Sequence, residues 1–310
     1  MSELRHDALT GRLVLLAPGR ADRPSTTPTA GPSPSPASCP FCPGHEHETP
    51  PEVFRLGAGA PDTPGWRVRV VPNLYPIVSD EGGGAGAHGA HEVIVVSPDH
   101  AATFGALDDE AAVEAMTIMQ ERSRAHAASG RDHVQVFVNQ GRAAGASIEH
   151  PHAQVIALEF VPPSVSVAVE RFEDAKLDLV LGDQSDAIGD GGGVVVGDAV
   201  RAWCPRASAS PFEVRVAALG AGPRFARATD GETLGVALVL RDVLDKVRRL
   251  LDDPPYNVVV HDAPVAGDVT FHWWVEIVPR IAVVAGFELG TGVLVNTVDP
   301  ANAAQLLRDA

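Results

Sequence analysis

The sequence is short of the residues that mark several classes of protein. Its 310 residues include three cysteines, Cys39, Cys42 and Cys204, too few for the disulfide framework that staples small secreted domains. Lysine is nearly missing: with Lys176 and Lys246 alone, any anion site has to rest on arginine. No run approaches the roughly 18 consecutive apolar residues that a membrane helix needs. The first apolar stretch, Leu13 to Ala17, is too short and too far in for a secretory leader. A cytoplasmic protein without a membrane partner is expected. Positive charge is scarce too, with 24 basic residues against 40 acidic ones and a formal charge of −16, which argues against a nucleic-acid partner. Divided after residue 165, the chain has 11 basic and 19 acidic residues before the cut and 13 and 21 after it, so each half carries −8. The acidity is a solvated surface shared by two similar halves, not a charged tail.

At 310 residues the chain should form two domains or one large one, and with 45% of its residues hydrophobic it can bury a real core. Residues 24 to 38, rich in proline and serine, can neither propagate a helix nor join a central strand and read as an exposed loop. The glycine tracts Gly82 to Gly89 and Gly189 to Gly193 read as mobile hairpin tips or insertions. Between the loops, Leu107 to Ala128 opens with Asp108, Asp109 and Glu110 and sets Val113, Met116 and Met119/Gln120 along one face, the pattern of a helix ending near Gly130. A strand follows at His133 to Asn139, where Val134, Val136 and Val138 alternate. A Gly/Ala loop, Gly141 to Ala146, leads to a second strand, His150 to Leu158. The second half repeats the plan: a helix over Asp230 to Leu251 stopped by Pro254-Pro255, a strand from Asn257 to His261, and another from Phe271 to Val278. This suggests a duplicated α+β unit.

Two clusters carry chemistry. Cys39-Pro-Phe-Cys42 has the spacing of a metal knuckle needing two further ligands, or of a redox pair, although a redox pair belongs at a helix start in a strand-helix unit. The second is Gly145-Ala-Ser147-Ile-Glu-His150-Pro-His152-Ala-Gln154. On a strand, His150, His152 and Gln154 share a face, either as a surface ladder or as an anion site. In the latter case the loop NH groups and the Ser147 hydroxyl hold phosphate oxygens while an imidazole attacks phosphorus.

Asn139-Gln-Gly141, Gly145-Ala-Ser147 and His150-Pro-His152-Ala-Gln154 together resemble the active-site signature of the galactose-1-phosphate uridylyltransferases, a branch of the histidine-triad superfamily. Further matching segments are Ala17-Pro18-Gly-Arg20-Ala-Asp-Arg23-Pro24, Cys39 to Gly44, Val71-Pro-Asn73-Leu-Tyr-Pro76, Ser97-Pro-Asp-His100, Ser210-Pro-Phe-Glu213, His261-Asp-Ala-Pro264, His272-Trp-Trp-Val-Glu276 and Gly286-Phe-Glu288-Leu-Gly-Thr-Gly292. The resemblance implies an α+β fold of two histidine-triad-like units, each an antiparallel sheet with packed helices: residues 1–165 catalytic and zinc-binding, residues 166–310 the second unit. It implies one structural zinc on Cys39, Cys42, His100 and His150, with His45 and His47 as rival ligands. His152 is then the nucleophile toward a nucleotide sugar, with a sugar phosphate or phosphate as second substrate. Gln154 and Ser147 assist, and Arg20, Arg23, Asn73, Asn139, Gly145 and Glu288 bind substrate. A homodimer is also implied.

Departures accompany the match. The family's accessory metal pair, His-x-His, here reads His272 and Trp274, so that site is expected to be lost, unless His261, His272 and Glu170 hold a weak metal. The loop before Gly286 lacks a lysine of the galactose-type enzymes, and Leu294 stands where they carry glutamine. Those two departures bear on hexose phosphate recognition, and Gly286 to Gly292 is closer to the related ADP-glucose phosphorylases, which pass AMP to phosphate and stand as the alternative to a hexose-1-phosphate uridylyltransferase. The remaining rival is a zinc-stabilised nucleotide-binding protein without turnover. Cys204 reads as a buried structural residue.

Overall fold

The computed structural model describes residues 3–17, 36–81, 88–176 and 178–310. Most of the Pro/Ser loop and of the first glycine tract, together with Arg20 and Arg23, lies outside the described residues. Ten strands form one sheet in the order β3-β4-β5-β7-β6-β11-β12-β10-β9-β8, every neighbouring pair antiparallel. The first five are β3 (Phe54–Gly57), β4 (Trp66–Pro72), β5 (Gly89–Val95), β6 (His133–Gln140) and β7 (His152–Leu158). The others are β8 (Gly193–Val196), β9 (Val200–Trp203), β10 (Val214–Ala218), β11 (Tyr256–His261) and β12 (Trp274–Pro279). Read from each outer edge, both groups of five run first, second, third, fifth, fourth. They meet where β6 pairs with β11, Asn139 opposite Asn257. A small second sheet joins β1 (Glu3–His6) and β2 (Leu13–Leu16) to β13 (Leu294–Asn296), the last in parallel. The amino-terminal strands therefore pack with the carboxy-terminal half.

Two long helices cover one face, α1 (Asp109–Ala128) and α4 (Asp230–Leu251). Their boundaries follow from local chemistry. Asp108 caps α1 by accepting the Ala111 NH at 2.8 Å, and Thr229 and Glu232 form a reciprocal capping box on α4. The buried faces of α1 (Ala112, Ala115, Met116, Met119) and α4 (Val236, Leu240, Val243, Leu244) meet the alternate strand residues Val134, Val136, Val138, Ala153, Val155, Val214, Val216, Val275 and Ile277 in one core. Because a strand turns successive side chains to opposite faces, the residues between them, including His152, Gln154, Arg215 and Glu276, fall on the other face.

That face is divided. Over the first half lies the Cys39–Cys42 turn, packed with Phe41, Trp66, Val71, Val93 and Val95. Over the second half lie α2 (Pro163–Ala175) and α3 (Leu179–Gly189), packed with Leu9, Trp203, Phe271 and Trp274. The short helices α5 (Gly286–Thr291) and α6 (Pro300–Asp309) complete the chain.

Three sequence expectations shift. Regular pairing starts at His152, not His150, because Pro151 has no NH for the ladder; its carbonyl accepts from Val96 instead. The strand expected from Phe271 begins only at Trp274, since the His272 ring reaches the Ala218 carbonyl and the Trp273 NH turns to Gly222. The tract Gly189 to Gly193 is no mobile tip: it joins α3 to β8, and a Cβ on Gly192 would lie 2.7 Å from the Cys204 carbonyl oxygen.

Candidate active site and metal centre

The turn after residue 38 folds on itself through the Cys42 NH to Cys39 carbonyl bond of 3.2 Å, aiming both thiols inward. His100 comes from the loop after β5 and His150 from the residues before β7. The donor atoms of Cys39, Cys42, His100 and His150 all lie within 4.8 Å of one another, the only such group of His, Cys, Asp or Glu among the described residues. Cys42 Sγ stands 3.3 Å from His100 Nδ1 and 3.6 Å from His150 Nδ1. The set fits a tetrahedral cation on two counts. Burial, and then the neighbouring Cys39, push the Cys42 thiol up to about 11, so two adjacent thiolates call for a metal charge. His150 Nε2–H donates to the Ser97 carbonyl at 2.7 Å, leaving the Nδ1 lone pair toward the sulfurs, the second-sphere arrangement of a metal-ligating histidine. Burial pulls His150 down to about 4, which keeps it neutral. The rival ligands are elsewhere: His45 Nδ1 faces the Cys39 carbonyl at 2.7 Å, and His47 is exposed.

Two residues on, His152 is 6% exposed. Its Nδ1–H donates to the His150 carbonyl at 2.8 Å, so in the neutral ring Nε2 keeps its lone pair. Burial lowers the pKa of His152, which holds it in that nucleophilic form. Phe41, from between the two cysteines, packs against the His152 ring at 5.3 Å between centroids. Sequence reasoning gave Phe41 no role; its place inside the knuckle was the available signal. Gln154 follows on the same face with its Oε1 2.8 Å from His91 Nε2. His91, on β5, was also missed, and nothing in its local pattern separates it from a core residue.

The loop between β6 and β7 turns at Gly141 and Gly145, whose φ angles of 78° and 93° lie in the left-handed region that glycine reaches without strain. Ser147 is exposed on this loop. Asn139 is half-buried at the end of β6, and its Oδ1 accepts from Asn257 Nδ2 at 2.8 Å, while the same amide donates to the Ala144 carbonyl at 2.8 Å. Asn73 sits beside β5, its NH bonded to the His91 carbonyl at 2.8 Å and its Oδ1 accepting the Tyr75 NH at 2.9 Å. Glu288 belongs to α5, where its carboxylate accepts the Ala285 NH at 3.0 Å; no contact joins it to the histidines.

In the second half, His272, Trp274 and Glu276 stand to β12 as His150, His152 and Gln154 stand to β7. No nucleophile results. Trp274 is fully buried and stacks on His261 at 4.4 Å, His261 bonds Glu276 at 3.1 Å, and His272 Nδ1 meets Asp178 at 2.7 Å. Glu170 is exposed and joins neither. Arg215, with no exposed surface, neutralises the carboxylates there. It contacts Asp7, reaches Asp183 at 2.8 Å, and lies 3.6 Å from Glu213 and 3.8 Å from Glu276. Burial and the charge of Glu276 raise the Glu213 pKa well above the carboxylate range. An internal cation thus occupies the carboxylates of this half.

Comparison with known proteins agrees with this geometry. A family model described as galactose-1-phosphate uridyl transferase, N-terminal domain, matches residues 84–162, the span from the first glycine tract through β7. The ADP-glucose phosphorylase of Arabidopsis thaliana is 33% identical over 99% of this chain and 92% of its own length. The galactose-1-phosphate uridylyltransferase of Thermotoga maritima is 26% identical over 100% of this chain and 98% of its own. A crystal structure of the Arabidopsis thaliana phosphorylase with bound ADP-glucose superposes with a TM-score of 0.87 at 31% identity, covering 100% of this chain and 99% of that one. The chain belongs to the galactose-1-phosphate uridylyltransferase family of nucleotidyltransferases, with ADP-glucose phosphorylase-like features.

Proposed function

We propose that this protein is a hexose-1-phosphate uridylyltransferase-type enzyme working through a covalent nucleotidyl-histidine. The observation that carries the reading is the hydrogen bond from His152 Nδ1 to the His150 carbonyl, which leaves the Nε2 lone pair of a largely buried ring without a partner among the described residues. Nε2 attacks the α-phosphorus of a nucleoside diphosphate sugar. A P–N bond forms, the bond from phosphorus to the bridging oxygen breaks, and the sugar 1-phosphate leaves with the electron pair. An oxygen of the acceptor phosphate then attacks the same phosphorus and returns the pair to Nε2. A phosphate leaving group needs no proton, which suits Gln154, a hydrogen-bond donor that cannot act as an acid. The loop of Gly145 and Ser147 supplies donors to phosphate oxygens, and Asn73, Asn139, Arg20, Arg23 and Glu288 are assigned to substrate.

Zinc on Cys39, Cys42, His100 and His150 would be a closed structural site. It would anchor His150 and thereby the carbonyl that orients His152. Residues 1–165 are taken as the catalytic unit and residues 166–310 as its duplicate, and unpaired buried thiols suit the reducing cytoplasm. Exposed apolar side chains at Leu74, Tyr75 and Ile77 and at Val283, Val284, Phe287 and Leu289 support a homodimer. Light scattering near 32 kDa would contradict it.

A second reading, ADP-glucose phosphorolysis, is favoured by the higher identity to the Arabidopsis thaliana phosphorylase. Loading the enzyme with labelled UDP-glucose or ADP-glucose, then discharging it with galactose 1-phosphate or inorganic phosphate, separates the two. Uridylyl transfer to the sugar phosphate supports the first reading, and discharge of AMP by phosphate alone replaces it.

A further inference from the structure

His91 sits on β5 on the same face as His152 and Gln154, since Val93 pairs with Gln154 and His91 with Ile156. It is 7% exposed, and an imidazole there has to satisfy both ring nitrogens, where a hydrocarbon would need nothing. Its surroundings decide where the ring proton lies. The Ile77 NH donates to His91 Nδ1 at 3.3 Å, and a backbone NH can only donate, so Nδ1 carries a lone pair. Burial lowers the pKa of His91, so the ring is neutral and its one proton sits on Nε2. That proton faces Gln154 Oε1 at 2.8 Å. The Asn73 NH2 lies 3.1 Å from the same nitrogen, but its Oδ1 is committed to the Tyr75 NH, so it presents hydrogens and cannot accept the proton.

The carboxamide of Gln154 is thereby oriented. With Oε1 engaged by His91, its NH2 finds no hydrogen-bond partner among the described residues and lies on the face that His152 occupies. An amide turned the other way would point a carbonyl oxygen at phosphate oxygens, which repel it. We propose that His91 is a positioning residue that holds the Gln154 carboxamide with its NH2 group toward the phosphorus attacked by His152. This rests on the nucleotidyl-transfer reading above. The donor then stands preorganised where negative charge builds on the equatorial phosphoryl oxygens. Asn257 treats Asn139 alike, consuming its Oδ1 and leaving its NH2 without a partner among the described residues, so both amides present donors.

The test has two arms on zinc-loaded protein. Nitrogen-15 spectra of the histidine rings, with His91 assigned by its loss in His91→Gln, should show Nε2 protonated and Nδ1 bare; the opposite tautomer or a charged ring overturns the proposal. The second arm is a double-mutant cycle on the rate of adduct formation from labelled UDP-glucose and ADP-glucose. His91→Leu should slow that rate by about 100-fold with little change in nucleotide-sugar affinity, Gln154→Ala should slow it similarly, and the double variant should be no slower than Gln154→Ala alone. His91→Gln, which keeps a donor at the reach of Nε2, should recover most of the rate. Additive losses overturn the proposal, because His91 would then act by another route. A wild-type enzyme that forms no adduct from either nucleotide sugar defeats the proposed function instead, and the tautomer still judges His91.

Discussion

Two histidines two positions apart have opposite chemistry because each gives its proton to a different carbonyl. His150 donates from Nε2 to Ser97 and offers Nδ1 to the cysteines, whereas His152 donates from Nδ1 to His150 and keeps its lone pair on Nε2. The sequence displayed the pair and the family signature, but nothing in the spacing alone reveals which nitrogen is free. Residues fixed by partners far along the chain were illegible, His91 among them. Asp262 is another such case. Burial raises its carboxyl to about 7, partly offset by the Phe225 NH at 3.0 Å. A folded-state pKa above the unfolded value near 3.9 gives stability that is present at low pH and lost as pH rises through about 7. Asp262→Asn, which keeps the acceptor without the charge, should be more stable than wild type at pH 8.5 by on the order of 2–4 kcal/mol relative to the difference at pH 4. Urea midpoints at the two pH values check this, and parallel pH dependence in both proteins would refute it.

At the scale of elements, the long helices and the alternating strands were legible because their signals are local. Asp108 and Thr229 cap where the sequence places polar residues before an apolar period, and α4 spans the range expected from it. Strand starts were displaced where a side chain or a proline withdraws from the ladder, at His150 and at His272. Helices α2 and α3 were not anticipated; they are held by contacts to Leu9, Trp203 and Trp274 from distant segments. The knuckle is the element on which the site depends, because Phe41 touches both the His150 and His152 rings. Cys39→Ser should therefore lower metal content, stability and transfer together, as expected when ligand binding is coupled to folding. Elemental analysis, thermal denaturation and rate measured on one preparation check it. Full metal occupancy with unchanged activity would show that Cys39 is not a ligand.

Across the whole molecule, the repeated strand order makes two related faces on one continuous sheet, and the proposed function arms only one. Equal charge in the two halves hinted at the repeat, but the β6 to β11 seam and the return of β1 and β2 to β13 depend on long-range pairing that no local pattern encodes. In the unarmed half, Arg215 offsets Asp7, Asp183 and Glu276. Arg215→Met strands the buried carboxylates of Asp7 and Glu276 and should cost about 3–5 kcal/mol, measured by denaturant unfolding; a variant as stable as wild type would mean the carboxylates find protons or water without it. The central claim concerns the armed half, and incubation with radiolabelled nucleotide sugar in the absence of acceptor, followed by denaturation and peptide mapping, tests it most directly. Label bound through an acid-labile, base-stable bond to the peptide carrying His152, and missing from a His152→Gly variant that keeps its metal, is the predicted result. Label on His150, or undiminished transfer by His152→Gly, would contradict it.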